Sequence, residues 1–240
     1  MSRLNIVYRI SEESIESRYA KNRPHYINNK NCFTNAVKIF NPISYNWLVV
    51  ADNISTDTNL LLEQYLEKNN IIHVNTRNGA KTFNIALDYT VKFSDEDYVY
   101  FLENDYLHLS YADQILIQGL KSGYEYVTLY DHPDKYLPPN AGGNPFINKD
   151  GSEDTKVFIT NNIHWKITNS TTGTFASSVK NIKEDEKTLR KWTTGNHFDD
   201  FKMFLELGKN GKRLISCMPG FSTHGQIPYL TPFIDWEKTI

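Results

Sequence analysis

The stretch Trp47-Leu-Val-Val-Ala-Asp-Asn-Ile-Ser-Thr-Asp57 predicts how this chain folds. Its first five residues form a continuous apolar run, which is typical of a strand buried on both faces of a parallel sheet. Ser55-Thr-Asp57 then supplies side chains that cap helices, and the leucines within 60–66 continue this segment as a helix. The stretch therefore predicts a strand leading directly into a helix, which is the repeating unit of α/β proteins.

The same unit recurs on both sides of this stretch. Upstream, the apolar run 4–10 predicts a strand, and the three- and four-residue spacing of apolar side chains in 31–40 predicts a helix. Downstream, 71–74 and 98–102 predict strands that are separated by a helix beginning at Gly79. Alternating strands and helices predict a mostly parallel central sheet flanked by helices and wound through right-handed crossovers.

The second half of the chain has a less regular pattern. A helix over 111–121 and a strand over 124–130 are followed by a long Pro- and Gly-rich loop, 131–151, which we expect to be functional or disordered. The range 157–168 predicts two short strands, a small antiparallel addition to the sheet. The pattern ends with two helices and a strand, predicted at 183–192, 199–207 and 212–218.

Length, charge and cysteine content limit the classes of protein to consider. A chain of 240 residues supports one domain of this α/β kind. Its 26 basic and 28 acidic residues lack the basic excess of a nucleic-acid-binding protein, so we expect no nucleic-acid partner. No run is long enough to be an integral membrane segment. The two cysteines, Cys32 and Cys217, are far apart, which indicates a reducing, cytoplasmic location.

Polar residues follow three of the predicted strands at the point where each strand ends. They are Asp52-Asn53, the segment Asn75-Thr-Arg-Asn-Gly79, and Glu103-Asn-Asp105. Because ligands of open α/β sheets bind beyond the carboxyl ends of the strands, these residues are the first candidates for a site. Glu103 and Asp105 leave the same face of the chain, and a hard cation such as Mg²⁺ or Mn²⁺ would relieve their repulsion. The alternative is that the three segments contain only solvated turn and cap residues.

Three segments in the first half of the chain resemble, in order and spacing, segments of family 2 glycosyltransferases with the GT-A fold. Val50-Ala-Asp-Asn-Ile-Ser-Thr-Asp57 resembles the family's Val-Asp-Asp-Gly-Ser-Thr-Asp segment. Asn78-Gly-Ala-Lys-Thr-Phe-Asn-Ile-Ala86 resembles its next segment, a Gly followed by Ala-Arg-Asn and a small residue. Phe101-Leu-Glu-Asn-Asp105 resembles its Asp-any-Asp metal motif. The chain departs from the family at Asn53 and Glu103, where the family has Asp.

The resemblance implies a single GT-A-like domain over 1–240. Its half 1–106 would bind a nucleotide-diphosphate sugar donor of the UDP type, and its half 107–240 would bind a glycan or glycoconjugate acceptor. Glu103 and Asp105 would hold Mn²⁺ or Mg²⁺ on the donor diphosphate, and Asp52 would contact the base or ribose. The residues assigned to donor binding are Asp52, Asn53, Arg77, Asn78, Asn84 and Asn104.

Further resemblances in the second half imply an acceptor segment and a catalytic base. Thr172-Gly-Thr-Phe175 resembles the family's small-residue segment beside the acceptor, so Thr172, Gly173 and Thr174 are assigned to acceptor binding. Gly195-Asn-His-Phe-Asp-Asp-Phe201 resembles its any-Glu-Asp motif, which supplies the base. Asp200 matches the last position and Asp199 the one before. A helix cap is the alternative role for Asp199.

A histidine completes the implied metal site. His224 follows the last predicted strand, and in several GT-A enzymes a C-terminal His is a metal ligand. A structural role for His224 is the alternative, and His108 is the reserve candidate. Tyr229 and Trp236 are expected to pack in the core, or against the 131–151 loop or an acceptor sugar.

These observations favour an inverting, metal-dependent glycosyltransferase. A nucleotidyltransferase would carry a Gly-rich, basic loop after its first strand, whereas Ser11-Glu-Glu-Ser14 is acidic and has no glycine. A dinucleotide-dependent oxidoreductase would carry Gly-any-Gly-any-any-Gly after a strand, and this chain does not. The alternative from another class is a catalytically degenerate nucleotide- or sugar-binding module, which would bind without turnover.

Overall fold

The computed structural model describes residues 2–12 and 22–240. Glu13 and Ser14, half of the acidic segment after the first strand, lie outside these residues. The helices are α1 (Asn29–Ile39), α2 (Thr56–Glu63), α3 (Gly79–Thr90), α4 (Ala112–Leu120), α5 (Val179–Lys191) and α6 (Asp200–Lys209). The strands are β1 (Leu4–Ser11), β2 (Asn46–Asp52), β3 (Ile71–Val74), β4 (Tyr98–Glu103), β5 (Tyr106–His108), β6 (Tyr126–Thr128), β7 (Val157–Thr160), β8 (Ile163–Thr168), β9 (Phe175–Ser178), β10 (Leu214–Met218) and β11 (Ser222–His224).

Within the described residues, nine strands form one central sheet in the order β3-β2-β1-β4-β9-β6-β10-β8-β7. The β3-β2-β1-β4 half is parallel throughout, and β6 is parallel to β10. Strands β9, β8 and β7 pair antiparallel to their neighbours, and β5 and β11 form a separate two-stranded antiparallel sheet. The predicted α/β domain, with a mostly parallel central sheet, flanking helices and a small antiparallel addition, is confirmed.

The central strands are buried on both faces, and their register aligns the site. In β1, Ile6, Val7 and Tyr8 are almost inaccessible to solvent, as expected for a parallel strand covered by helices on both sides. Two clusters of buried apolar side chains pack on opposite faces of this sheet. Arg9 pairs in register with Glu103 of β4. The buried strand therefore carries a charged residue to the edge where the candidate acids lie.

The strand β9 was not predicted, and it joins the two halves of the sheet. Its sequence, Phe-Ala-Ser-Ser, is short and rich in small residues, so it shows neither a long apolar run nor clear alternation. The strand exists because β4 and β6 supply hydrogen-bonding partners on both of its edges. The short strands β5 and β11 were missed for the same reason, since each is three residues long.

Buried ion pairs hold the predicted long loop 131–151 against the sheet. It is irregular apart from two single 3₁₀ turns, Pro133–Lys135 and Pro139–Ala141. Lys166 of β8 is 2% exposed, and its Nζ lies 3.0 Å from Asp131 Oδ1 and 3.2 Å from Glu153 Oε2, one at each end of the loop. Because opposite charges clamp both ends, the loop has a defined position on the domain.

Tyr229 and Trp236 of the C-terminal segment pack in two of the ways that the sequence suggested, against the long loop and in the core. Trp236 is buried at 1% exposure. Tyr229 contacts the long loop, because its hydroxyl donates to the Gly142 carbonyl at 3.3 Å and its ring lies 5.1 Å from that of His132. Across the described part of the chain, no helix is long and apolar enough to cross a bilayer.

Candidate active site

A cleft of about 1010 Å³ opens at the carboxyl ends of β1, β2 and β4 and extends to the start of α6. This is the edge at which α/β sheets bind ligands. It brings together most of the residues that the sequence nominated. Those lining it are Asp52, Asn53, Arg77, Asn78, Glu103, Asn104, Asp105, Thr172, Gly173, Asp200 and His224.

Two nominated residues lie behind the cleft wall instead of lining it. Asn84 is turned toward the end of α5, where its Nδ2 donates to the Thr193 carbonyl at 3.3 Å and its Oδ1 accepts from the Thr193 hydroxyl at 3.0 Å. Thr174 is fully buried, and its hydroxyl accepts the Glu103 amide at 3.2 Å. Neither side chain lines the cleft, since both support its wall from inside, and their predicted roles in donor and acceptor binding stay predictions.

The structure distinguishes the two adjacent aspartates at the start of α6. Asp199 is the N-cap: its Oδ1 accepts the Lys202 amide at 3.0 Å, and its Oδ2 lies 2.7 Å from Lys202 Nζ. Burial raises the pKa of Asp199, but the bonds to Lys202 lower it by more, so the net pKa is below the usual value. Asp199 does not line the cleft. Asp200 does, so the cap and the cleft acid are separate residues.

Asp200 carries a carboxylate whose charge is poorly stabilised. Its Oδ2 is inaccessible to solvent and has no hydrogen-bond partner in the described part of the chain. Burial, followed by repulsion from Glu103, raises its pKa to about 7, while a hydrogen bond from the Gly173 backbone N–H and the charge of Lys135 oppose the rise. A carboxylate with a pKa near 7 is suited to accept a proton under physiological conditions.

Asp105, which follows β4, is in direct contact with His224 at the end of β11. His224 Nε2 lies 3.1 Å from Asp105 Oδ2, and Arg23 Nη2 donates to the same oxygen at 2.8 Å. Burial raises the pKa of Asp105, but the charge and hydrogen bond of His224, together with Arg23, lower it to about 2. Burial lowers the pKa of His224, and Asp105 reverses this so that the net pKa is raised.

Asp105 keeps one oxygen that could bind a hard divalent cation. Asp105 Oδ1 is buried and lacks a hydrogen-bond partner among residues 2–12 and 22–240, which leaves one carboxylate oxygen for a ligand. In the same residues, no group of three or more His, Cys, Asp or Glu side chains is arranged to hold a metal. An ion here would bind Asp105 Oδ1, and it would bind His224 only after that ring lost its proton and its hydrogen bond to Asp105; water or phosphate oxygens would fill the other positions, as they commonly do for Mg²⁺ and Mn²⁺.

Glu103 pairs with an arginine. Its Oε1 accepts a hydrogen bond from Arg9 Nη2, and Arg9 also donates to the Gly79 carbonyl at 2.9 Å and the Thr82 hydroxyl at 3.3 Å. Burial raises the pKa of Glu103, although the Arg9 charge opposes the rise. Arg9 therefore already neutralises the charge of Glu103. The role of Glu103 as a metal ligand stays a prediction.

Asp52 braces the loop that follows β3. Its Oδ1 accepts from the Thr76 amide at 2.7 Å and from Asn53 Nδ2 at 2.7 Å, while its Oδ2 accepts from the Thr76 hydroxyl at 2.7 Å. Burial raises the pKa of Asp52, and these bonds lower it to a net value below normal. Both oxygens of Asp52 are occupied, and so is the Asn78 side chain, whose Oδ1 accepts the Lys81 amide at 2.8 Å and whose Nδ2 donates to the Gly195 carbonyl at 3.3 Å. Arg77 of the same loop also lines the cleft.

His108, the reserve candidate, belongs to the core. It is 1% exposed, its Nε2 lies 2.9 Å from the Tyr100 hydroxyl, and burial lowers its pKa to about 3. Sequence reasoning also missed Arg9 and Arg23, which line the cleft. An arginine within the otherwise apolar run 4–10 was a detectable signal, because a charge in a buried strand needs a partner.

Gly173 is required where the segment of 170–174 passes the acids. Its φ is +69°, and a Cβ at this position would overlap the Glu103 carboxylate. Replacing it with alanine is therefore expected to lower the free energy of unfolding by about 1–3 kcal/mol and to disturb Asp200. Gly208→Ala, within α6 and facing open space, is expected to raise it by about 0.5–1 kcal/mol. Urea denaturation of both variants measures the contrast, and equal effects would contradict it.

Comparisons with known proteins show the fold and leave the family unassigned. No family model matches the sequence, and no curated protein matches it. The structure is similar to that of GalNAc-T7 crystallised with UDP, GalNAc and Mn²⁺, with a TM-score of 0.56 and 12% identity over 95% of this chain and 44% of that one. A second similar structure is CMP:2-keto-3-deoxy-manno-octonic acid synthetase with CTP, at a TM-score of 0.49 and 13% identity over 90% and 89%. The chain spans less than half the length of GalNAc-T7 and has a GT-A-like fold.

Proposed function

We propose that this chain is a metal-dependent glycosyltransferase that inverts the donor sugar. The observation that carries the proposal is the cleft itself. It contains Asp200, an acid with a pKa of about 7 and an unpartnered buried oxygen, together with the Asp105–His224 pair and its unpartnered oxygen. A poised base and an ion-binding pair in one cleft are what sugar transfer from a nucleotide diphosphate requires.

The donor binds to residues 1–106 in this proposal. The loops after β2 and β3 present Asn53, Arg77 and Asn78 to the nucleoside, with Asp52 holding both loops in place. Asp105 and His224 would hold Mn²⁺ or Mg²⁺, which would neutralise charge on the diphosphate. A UDP-type donor is favoured, and the ligands of GalNAc-T7, which are UDP, GalNAc and Mn²⁺, are consistent with it.

The acceptor binds to residues 107–240. An acceptor hydroxyl near Thr172 and Gly173 gives its proton to Asp200 as its oxygen forms a bond to the anomeric carbon. The bond from that carbon to the diphosphate breaks, and the nucleoside diphosphate leaves with the electron pair. One displacement inverts the configuration at this carbon and needs no covalent enzyme intermediate. The degenerate binding module remains the alternative, and it would bind donor without releasing nucleoside diphosphate.

Thermal denaturation with nucleoside diphosphates, each with and without Mn²⁺, tests the donor half. A ligand at 100 times its Kd stabilises the folded state by about 2.7 kcal/mol, which for a chain of this size is about 5–10 °C in Tm. We expect UDP to raise the Tm in the presence of Mn²⁺, and Asp105→Asn to remove the Mn²⁺-dependent part of this rise because it removes a charged ligand.

Asp88→Asn is the matched control. Asp88 lies on the outer face of α3, is 55% exposed as a side chain, and pairs with Arg190 at 2.7 Å away from the cleft. It should keep the full response to UDP and Mn²⁺. If no nucleoside diphosphate shifts the Tm of the unaltered protein, the proposed function is wrong. If UDP shifts it equally without Mn²⁺, the metal-dependent part of the proposal is wrong.

A further inference from the structure

The long loop 131–151 exposes two aromatic side chains, Tyr136 and Phe146, and Phe146 is the more exposed of the two. Phe146 is 62% exposed, although the loop has buried charges that fix it at several points. One of these is Lys135, which is 1% exposed and whose Nζ donates to the Ser170 hydroxyl at 2.6 Å and lies 3.1 Å from Asp134. A single exposed apolar side chain is common on protein surfaces, so Phe146 points to a contact surface only together with a neighbouring apolar group.

Local bonds determine where Phe146 sits. Its amide donates to Asn144 Oδ1 at 3.0 Å, and Asn144 is 4% exposed. The Asn144 amide in turn exchanges hydrogen bonds with Asn169 at 3.4 and 3.5 Å. Asn169 directly precedes the segment 170–174, which forms the wall around Asp200. Phe146 is therefore anchored to the side of the cleft that contains Asp200.

A second aromatic ring extends this surface to the start of α6. The ring centroid of Phe146 lies 5.7 Å from that of Phe201, and the two planes are inclined at 44°. Phe201 directly follows Asp200 at the start of α6 and is partly exposed. The two rings thus form an apolar platform, contiguous along the chain with the residue that faces the cleft.

We propose that Phe146 and Phe201 form an acceptor subsite that binds the apolar face of a sugar ring. This inference rests on the proposed function, in which Asp200 accepts a proton from an acceptor hydroxyl. A pyranose has hydroxyl groups around its rim and a patch of C–H groups on one face. Aromatic rings cover such a patch, while the rim hydroxyls remain free to reach a neighbouring polar group. Phe201 adjoins Asp200 in the chain, but among the described residues neither ring lines the cleft, so a sugar ring seated on this platform lies just outside the cleft as part of a glycan acceptor.

Saturation-transfer-difference NMR with methyl glycosides of glucose, galactose and N-acetylglucosamine tests the subsite without any donor or metal. We expect at least one glycoside to receive saturation mainly on the C–H protons of one ring face. Phe146→Ala is expected to weaken its binding by about 3- to 10-fold, since it removes the outer ring. Phe146→Tyr keeps the ring and should bind like the unaltered protein.

Ile43→Ala is the matched control. Ile43 is 94% exposed, but it lies before β2, at the opposite end of the sheet from the cleft, so its removal should leave glycoside binding unchanged. The Tm of each variant establishes that it is folded. The subsite is wrong if no glycoside binds, or if Phe146→Ala binds as tightly as Ile43→Ala. The result is separable from failure of the proposed function, because UDP binding is measured independently.

Discussion

Replacing Asp200 with asparagine is expected to reduce sugar transfer by about 10²–10⁴-fold while leaving UDP binding unchanged. The substitution keeps the size of the side chain and removes the oxygen that accepts the proton. Transfer by the unaltered protein should fall as the pH drops below about 7, because protonated Asp200 cannot act as a base. Release of UDP from a UDP-sugar in the presence of an acceptor measures both effects.

The same substitution is expected to stabilise the protein at high pH. The pKa of Asp200 is about 7 in the folded state, against 3.8 for an ordinary aspartate, so the folded chain binds this proton more tightly than the unfolded chain does. Stability conferred by this proton is present below pH 4 and is lost as the pH rises toward 7, by about 4 kcal/mol in total. Asparagine does not ionise, so the Asp200→Asn variant does not lose this stability as the pH rises. Its free energy of unfolding at pH 8 should therefore be higher than that of the unaltered protein.

Asp199→Asn provides the control for both measurements. Asparagine caps a helix about as well as aspartate, so this variant should retain its transfer activity and its pH dependence of stability. Substantial transfer by Asp200→Asn would assign the base to another residue. Substantial loss in Asp199→Asn alone would reverse the two assignments. A stability difference at Asp200 that does not grow with pH would contradict the burial argument.

Replacing Arg9 with methionine is expected to lower the free energy of unfolding by about 3–5 kcal/mol. The Arg9 side chain is 6% exposed, and its loss leaves the Glu103 carboxylate partly buried without its cationic partner. The guanidinium also lies over the rings of Phe198 and Phe83, at 5.0 and 5.4 Å from their centroids, so these contacts are lost as well. Urea denaturation at pH 8 measures the change.

Two further variants test whether loss of the buried Arg9–Glu103 pair causes the destabilisation. Arg190→Met breaks an ion pair with Asp88 in which the side chains are 34% and 55% exposed, and it should cost less than about 1 kcal/mol. Adding Glu103→Gln to Arg9→Met should recover part of the loss, because no unpaired charge then remains. If Arg9→Met costs no more than Arg190→Met, the buried pair does not stabilise the fold.

The parallel half of the fold could be predicted because its signals are local. The runs 47–51 and 71–74 are apolar strands bounded by polar turns, and the observed β2 and β3 extend over 46–52 and 71–74. The helix predicted to begin at Gly79 does so, with Asn78 as its cap. The order of these elements also placed Asp105 at the cleft, since the carboxyl ends of parallel strands share one edge.

The other half could not be predicted to the same degree, because its elements depend on distant partners. The strand β9 acquires its structure from pairing with β4 and β6, which are separated from it by 47 or more residues in the chain. The side chain of Asn84 sits within a motif that resembles a donor site, but helix geometry turns it toward Thr193. Motif resemblance locates a segment and does not decide which side chains of a helix reach a ligand.

The sequence by itself determined the α/β class, the sheet edge at which the acids gather, and the choice of Asp199-Asp200 as candidates for the base. Only the tertiary structure decided which of the two faces the cleft, that Arg9 neutralises Glu103, and that Asp105 meets His224. The physical reason is the distance along the chain over which each interaction acts. Strand and helix formation follow from neighbouring residues, whereas the protonation and pairing of buried acids depend on charges that only folding brings within a few ångströms.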